Sequence, residues 1–203
     1  AVPTTSGTGS EVTKNAVLSE TGPDGFKKSL RHENFVPDVA IVDPELTIGC
    51  SPELTAASGM DCFTQLVEAY LSTKSGDFTD ALALKGIAAV RDYLVRAFEN
   101  GADIEARSGM SFAALTSGIC LANAGLGIVH GFASSVGAMF EIPHGVVCGT
   151  LMAPANEINV RELRKSGKDL ITLEKYATLG KIFSGTELTG DSDYIDSFIE
   201  VLY

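Results

Sequence analysis

The sequence predicts a mainly α-helical chain with a short β-containing segment at its N-terminal side. Two observations carry this prediction. After about residue 50, apolar residues recur at three- and four-residue spacing between helix-capping signals. Before it, short β-branched runs alternate with glycine and proline turns. We therefore expect a domain boundary here, with residues 1–49 in one domain and residues 50–203 in a helical one.

Strands and turns are expected before residue 50. Residues 11–20 alternate weakly between apolar and polar side chains, as a strand with one solvated face does. Gly22-Pro23-Asp24-Gly25 is a turn signal, and Val39-Ala-Ile-Val-Asp43 is a β-branched run that Pro44 closes. This part of the chain is therefore predicted to hold short strands.

Four helices are expected between residue 50 and Pro143. Ser51 is a capping residue followed by a first-turn proline, and a second helix covers residues 77–100. The third, residues 103–123, is rich in alanine, serine and glycine. Small side chains let helices approach closely, so this helix is expected to cross the centre of its domain. Residues 156–175 are charged and are expected to be loop-like in part.

Composition and charge exclude several classes of protein. The 203 residues, 45% of them hydrophobic, are enough to bury a sizeable core. A net charge of −11 argues against a nucleic acid or an anionic membrane as partner. The four cysteines form no Cys-x-x-Cys pair, which predicts reduced thiols and a cytoplasmic location. The sequence has no signal-peptide pattern and no apolar run of the ~20 residues that a bilayer span needs.

The two ends of the sequence have the character of internal segments. Ala1-Val-Pro-Thr-Thr5 begins as though a strand has just ended, and Phe198-Ile-Glu-Val-Leu-Tyr203 stops inside an apolar run. Free termini are usually polar and frayed. A piece of a longer chain is therefore expected, and the alternative is a complete protein with apolar termini.

A polar, glycine-containing segment near the start is a candidate anion site. In Thr4-Thr-Ser-Gly-Thr-Gly-Ser10, backbone N–H groups and hydroxyls can converge on an anion such as a pyrophosphate. The alternative is a polar turn between strands, because the segment matches neither of the phosphate-binding patterns Gly-x-Gly-x-x-Gly and Gly-x-x-x-x-Gly-Lys. Lys27 and Lys28 would pair with such an anion or else be solvated.

Four residues form a candidate metal site. His130 and His144 lie at glycine-flanked turns of one apolar stretch, and Asp61 and Gln65 lie at i and i+4 of the upstream helix. Asp61, His130 and His144 would suit a divalent ion, whereas at Gln65 a histidine would be the stronger ligand. The alternatives are a polar helix face turned to solvent and hydrogen-bonded histidines in the core.

Several motifs together resemble the iron-containing (group III) alcohol dehydrogenase family. They occur in the family's order and span residues 3 to about 155. The matching stretches are Pro3-Thr-Thr-Ser-Gly-Thr-Gly-Ser-Glu-Val-Thr13, Val39-Ala-Ile-Val-Asp-Pro44, Ser58-Gly-Met-Asp-Cys-Phe-Thr-Gln-Leu-Val-Glu-Ala-Tyr70, Gly125-Leu-Gly-Ile-Val-His-Gly131 and Pro143-His-Gly145.

The resemblance implies a two-domain, dehydroquinate-synthase-like fold. An α/β domain for NAD or NADP would be followed by a helical domain, with a metal in the cleft between them. Residues 1–49 would be the end of the first domain, and residues 50–203 most of the second, incomplete at its C-terminus. Because the family's glycine-rich pyrophosphate loop lies upstream of Thr4, residues 1–203 alone are expected not to bind the dinucleotide tightly and to be inactive.

Residue by residue, the resemblance assigns two groups of site residues and no catalytic residue. Thr4, Thr5, Gly7 and Thr8 match the segment that lines the nucleotide, and Lys27 matches a lysine near the cofactor.

Three of the family's four metal ligands match Asp61, His130 and His144, and Gln65 stands where metal-dependent members have the fourth, a histidine. Ser134 stands where many members have another histidine near the substrate. An amide oxygen is neutral and hard, so Fe(II) or Zn(II) affinity should fall, and that of Mg(II) or Mn(II) should fall less. Because Gln65 and Ser134 replace two imidazoles, a proton relay would use water, Ser134 or a cofactor hydroxyl.

The predicted function is an oxidoreductase that moves a hydride between NAD or NADP and an alcohol, aldehyde or related carbonyl compound. Fe or Zn would assist the reaction if the altered site still binds metal. The expected partners are a small-molecule substrate and further copies of the chain in a homo-oligomer. The alternatives are a related enzyme, such as a maleylacetate reductase or a glycerol-phosphate dehydrogenase, and a helical assembly domain without chemistry.

Overall fold

The computed structural model describes all 203 residues, which form two compact units, Ala1–Gly149 and Thr150–Tyr203. Seven α-helices hold most of the chain, and its one sheet has two strands. The predicted mainly α-helical fold is therefore confirmed. The functional boundary expected between residues 49 and 50 stays a prediction.

The first unit contains four complete helices and the start of a fifth. They are α1 (Pro52–Tyr70), α2 (Asp77–Glu99), α3 (Ile104–Ala124), α4 (Ile128–Met139) and α5 (His144–Ser166). The expected capping residue of α1 acts as one, because Ser51 Oγ accepts a hydrogen bond from the backbone N–H of Leu54 at 3.2 Å. Asp103 does the same for Ala106 at the start of α3, at 3.0 Å.

Helix α1 lies in the interior of this unit, packed against α2 and α3. Its apolar side chains, such as Leu66 and Val67, are fully buried. Its polar face is buried as well, since Asp61 and Gln65 are each only 3% exposed. The alternative of a polar face turned to solvent is therefore wrong, and the carboxylate and the amide need partners inside the protein.

Strands β1 (Asn15–Glu20) and β2 (Phe26–Arg31) form an antiparallel hairpin whose register pairs Asn15 with Arg31. The turn between them rests on α4, where the N–H of Gly22 donates to the carbonyl of Ala138 at 3.1 Å. The hairpin therefore has a fixed position beside α4.

The strand expected over Val39–Asp43 does not form. This segment makes two backbone hydrogen bonds with the start of the chain. The N–H of Ile41 donates to the carbonyl of Ala1 at 2.9 Å, and the terminal amine of Ala1 donates to the carbonyl of Val39. Val39 and Ile41 are also more than half exposed. The β-branched run was a correct sign of extended backbone, but a strand needs a longer ladder of hydrogen bonds.

The segment before the hairpin is held against α1 and α3 by close backbone packing. A Cβ on Gly7 would lie 2.9 Å from the Cβ of Ser58. Gly9 has a φ of 59°, and a Cβ there would lie 2.3 Å from the carbonyl oxygen of Ala114. Only glycine fits this left-handed conformation at that distance. The small residues of α3, among them Gly118, make the approach possible.

The second unit contains the rest of α5 together with α6 (Leu170–Phe183) and α7 (Asp191–Leu202). The ring of Phe198 packs against those of Tyr176 and Phe183, with ring centroids 6.3 and 5.9 Å away. The Tyr176 hydroxyl donates to Asn156 Oδ1 at 2.7 Å. The expectation that residues 156–175 are loop-like in part is confirmed at residues 167–169, which link α5 to α6, and the rest of this stretch is helical.

No single helix is both long and apolar enough to cross a membrane. Helices α3 and α4 meet those criteria only when taken together, and they are bent by 101° where they meet.

Candidate metal centre

Side chains from three helices converge on one point in the first unit. Asp61 lies in α1, His130 in α4 and His144 at the first position of α5. The Oδ1 atom of Asp61 is 3.1 Å from Nε2 of His130 and 3.7 Å from Nε2 of His144. The two imidazole rings meet edge to face with centroids 5.4 Å apart. The structure thus brings together three of the residues that the sequence suggested as ligands.

Glu68 positions His130 by holding the first turn of α4. Its Oε1 accepts the backbone N–H of Val129 at 2.7 Å, and its Oε2 lies 2.7 Å from Nδ1 of His130. A Cβ on Gly127, just before the helix, would lie 2.8 Å from Oε1 of Glu68, so a side chain there would displace the carboxylate. A carboxylate that accepts the proton on Nδ1 leaves the lone pair of Nε2 free to bind a metal ion. Glu68 lies three residues after Gln65, near the same face of α1, but spacing along the sequence does not reveal this contact.

Glu68→Gln is expected to lower the affinity for a divalent metal by roughly 10- to 100-fold, the usual effect of losing a carboxylate that orients a ligating histidine. The amide is nearly isosteric, so the fold should persist. The measurement is metal retention by the full-length protein in competition with a chelator. The matched control is Glu53→Gln, an exposed change in the first turn of α1, the helix that also carries Glu68. Equal metal retention by both variants would contradict the role of Glu68.

His144 is held on its two sides by different elements. Its Nδ1 lies 3.1 Å from Nζ of Lys27 in β2. The next residue, Gly145, packs directly on α1, where a Cβ would lie only 1.8 Å from the carbonyl oxygen of Ala57. The start of α5 is therefore pressed against α1 close to Asp61, which fixes the distance between the two side chains.

Gln65 turns its amide nitrogen, not its oxygen, toward Asp61. The Nε2 group donates to Oδ1 of Asp61 at 3.4 Å, and Oε1 lies 3.5 Å from the hydroxyl of Ser117, which has a nearer acceptor in the carbonyl of Ala114 at 2.8 Å. For Oε1 to act as a ligand, the amide would have to rotate by half a turn. In the conformation seen here Gln65 orients Asp61.

Cys148, which the sequence interpretation left among the buried structural thiols, belongs to the same cluster. Its side chain is fully buried, and the ligand atoms of Asp61, His130, His144 and Cys148 all lie within 4.8 Å of one another. A carboxylate, two imidazoles and a thiol are donors that Fe(II) and Zn(II) take. The side chains therefore fit a divalent transition metal. The one sequence signal for Cys148 was its position four residues after His144.

The charges of the cluster are strongly coupled. Burial opposes the charged form of Asp61, but its hydrogen bonds with His130 and Gln65 and the attraction of the two imidazoles together outweigh burial and lower the pKa of the carboxyl. Burial likewise opposes protonation of His130, yet its hydrogen bonds, that with Asp61 first, raise its pKa to about 11. A metal ion at Nε2 of His130 would replace that proton, so binding would release it.

Burial lowers the pKa of His144, and nearby Lys27 lowers it further against the attraction of Asp61. The ring is therefore neutral at neutral pH, which is the form that binds metal. Ligation through Nε2 would place the ring proton on Nδ1, which could then no longer accept a hydrogen bond from the ammonium of Lys27.

A cavity of about 860 Å³ opens beside the cluster, between the hairpin and helices α1, α3 and α4. Thr8 and Lys27, two of the predicted nucleotide-binding residues, line it together with Ser134. Thr4, Thr5 and Gly7 do not line it, and their role stays a prediction. The Ser134 hydroxyl donates to the backbone carbonyl of His130 at 2.9 Å. The cavity is large enough for a small substrate and part of a cofactor.

Comparisons with known proteins identify relatives of the whole chain. A family model described as "Fe-containing alcohol dehydrogenase family, C-terminal" matches residues 55–202, and one described as "Iron-containing alcohol dehydrogenase" matches residues 1–44. The 1-propanol dehydrogenase PduQ of Citrobacter freundii is 44% identical over 165 residues, which are 81% of this chain and 44% of that protein. The NADPH-dependent butanol dehydrogenase of Clostridium saccharobutylicum is 38% identical over 202 residues, 100% of this chain and 49% of that protein.

The crystal structure of a 1,3-propanediol oxidoreductase superposes on this fold with a TM-score of 0.87 at 35% identity. The match covers 100% of this chain and 50% of the other. The chain thus spans about half the length of the relatives that it matches.

Proposed function

Because this chain belongs to the iron-containing alcohol dehydrogenase family, we propose that the protein transfers a hydride between a nicotinamide cofactor and an alcohol or the corresponding carbonyl compound. The observation that carries the proposal is the convergence of Asp61, His130 and His144 at the wall of the large cavity. Family membership implies NAD or NADP and a metal ion. The relatives with propanol and butanol in their names support a short-chain alcohol or aldehyde as substrate.

The residues of the cluster have separable roles in this proposal. Asp61, His130 and His144 would hold the metal, and Glu68 keeps His130 in the orientation that presents Nε2. A bound divalent ion would polarise the C–O bond of the substrate. The side chains of Lys27 and Ser134 face the same cavity and carry exchangeable protons, on Nζ and Oγ, where a proton has to enter or leave.

The assay that tests the function follows the absorbance of NADH and of NADPH during reduction of propanal and butanal by the full-length protein. We expect turnover with at least one of the two cofactors, its loss after treatment with a chelator, and its recovery on addition of Fe(II) or Zn(II). Turnover that survives complete removal of metal would overturn the metal-assisted mechanism. Absence of NAD(H) and NADP(H) binding would instead favour a helical assembly domain. Light scattering of the same sample tests the proposed homo-oligomer.

Gln65→His is expected to tighten metal binding by about tenfold or more, because an imidazole at this position would add a good ligand for Fe(II) and Zn(II) where the amide turns its nitrogen toward Asp61. Its measurement is the chelator concentration that removes half of the metal from the full-length protein. Gln65→Ala, which removes the amide without adding a ligand, is the control. Unchanged metal content and unchanged activity in Gln65→His would show that Gln65 does not weaken the site.

A further inference from the structure

We propose that the thiolate of Cys148 is the fourth protein ligand of this metal centre, beside Asp61, His130 and His144. The proposal rests on the proposed function, since it concerns the metal that the family implies. It departs from the sequence-based prediction, in which Gln65 occupied the fourth position.

The distances from the sulfur of Cys148 to the other three ligand atoms are close to the edge lengths of a tetrahedral metal site. Its Sγ atom is 3.9 Å from Oδ1 of Asp61, 3.8 Å from Nε2 of His130 and 3.7 Å from Nε2 of His144. Metal–sulfur bonds of about 2.3 Å and metal–nitrogen bonds of about 2.0 Å at a tetrahedral angle give sulfur–nitrogen edges of about 3.5 Å. Small adjustments of the side chains would therefore bring all four donors to one ion.

The backbone holds Cys148 in this position. His144 and Cys148 are one turn apart on α5, so their side chains share a face of the helix. The adjacent side of α5 is pressed against α1 at Gly145, and further along at Gly149, where a Cβ would lie 3.3 Å from the Cβ of Met60. The Cys148 side chain has no exposed surface, and its sulfur has one ligand atom from each of three neighbouring side chains around it.

Gln65 is less suited to the fourth position in this arrangement. Its amide nitrogen donates to the carboxylate of Asp61, and its amide oxygen lies on the side of the Ser117 hydroxyl, 3.5 Å away. Turning the amide would exchange a donor for an acceptor beside a carboxylate, which is unfavourable. Gln65 therefore remains a residue that orients Asp61.

A thiolate changes the expected metal preference. On binding, the thiol of Cys148 loses its proton to solvent, and the thiolate and the Asp61 carboxylate together balance the two positive charges of the ion. Soft sulfur ligands select Fe(II), Zn(II) or Co(II) over Mg(II) and Mn(II). The centre is therefore a transition-metal site despite the glutamine at position 65.

The test uses the full-length protein freed of metal by a chelator and reloaded with Co(II), which takes the place of Zn(II) and has informative absorption. We expect a thiolate-to-Co(II) charge-transfer band in the near ultraviolet that grows with bound Co(II). Cys148→Ser should lose this band, whereas Cys120→Ser, a buried cysteine outside the cluster, should keep it. Cys148→Asp should bind Co(II) without the band. Adding Gln65→His to Cys148→Ser should restore Co(II) retention, also without the band.

Each other outcome overturns the proposal in an identifiable way. Co(II) bound by the unaltered protein without a charge-transfer band, or a band that survives in Cys148→Ser, would refute the thiolate ligand and leave the proposed function standing. Failure of the unaltered protein to bind Co(II), Zn(II) or Fe(II) would refute both the ligand and the metal-assisted mechanism. If Cys148→Ser does not fold, the spectrum of the unaltered protein with that of Cys148→Asp still decides the question.

Discussion

Asp61→Asn is expected to abolish metal retention and to lower kcat/KM by about 10³-fold or more. The carboxylate is the one atom group that contacts His130, His144, Gln65 and Cys148 at once. Its replacement removes a negative charge that balances the charge of the metal ion. Polarisation of the substrate by a metal ion lowers the activation free energy by several kcal/mol, and about 1.4 kcal/mol corresponds to a factor of ten in rate. The measurements are metal content and steady-state kinetics of the full-length protein.

Asp103→Asn is the matched control for this change. Asp103 caps α3 away from the cluster, and asparagine caps a helix about as well as aspartate does. We expect its metal content and kinetics to equal those of the unaltered protein. Full metal content in Asp61→Asn, with circular dichroism showing an intact fold, would refute Asp61 as a ligand.

Gly145→Ala is expected to destabilise the protein by roughly 3 kcal/mol and to reduce metal retention as well, because overpacking forces backbone to shift. A Cβ at this position would overlap the backbone carbonyl of Ala57, which has no flexible end that can move aside. Helix α5 would have to withdraw from α1, and His144 and Cys148 would move with it. Urea denaturation of the full-length protein measures the loss of stability.

Gly131→Ala separates the effect of the contact from that of the substitution. Gly131 lies in α4, and a Cβ there would meet nothing within 4 Å. Alanine favours a helix by about 1 kcal/mol over glycine, so this variant should be as stable as the unaltered protein or more so. Equal midpoints of denaturation for the two variants would contradict the packing of α5 on α1 described here.

Local signals predicted the helices well. Ser51 caps the helix that it was expected to cap, the third helix begins next to Asp103 as expected, and the small residues of α3 lie where the N-terminal segment crosses it. Errors arose where distant contacts decide the structure. Val39–Asp43 has the composition of a strand but too few backbone partners.

The metal cluster could be predicted only in part, because some of its members are set by local motifs and others by contacts between distant helices. Spacing and family resemblance identified Asp61, His130 and His144, because each belongs to a local motif. Glu68 and Cys148 gave weaker signals, since their importance depends on how α4 and α5 dock against α1. Sequence spacing places a residue on a helix face but does not tell which neighbour that face meets.

Metal analysis of the full-length protein tests most directly whether Asp61 helps to hold a divalent metal ion. The protein is dialysed against Zn(II) or Fe(II), freed of loosely bound ions and compared with Asp61→Asn. We expect one tightly held divalent ion per chain in the unaltered protein and none in the variant. The same low metal content in both proteins, with nicotinamide-dependent turnover intact, would contradict a metal centre at Asp61.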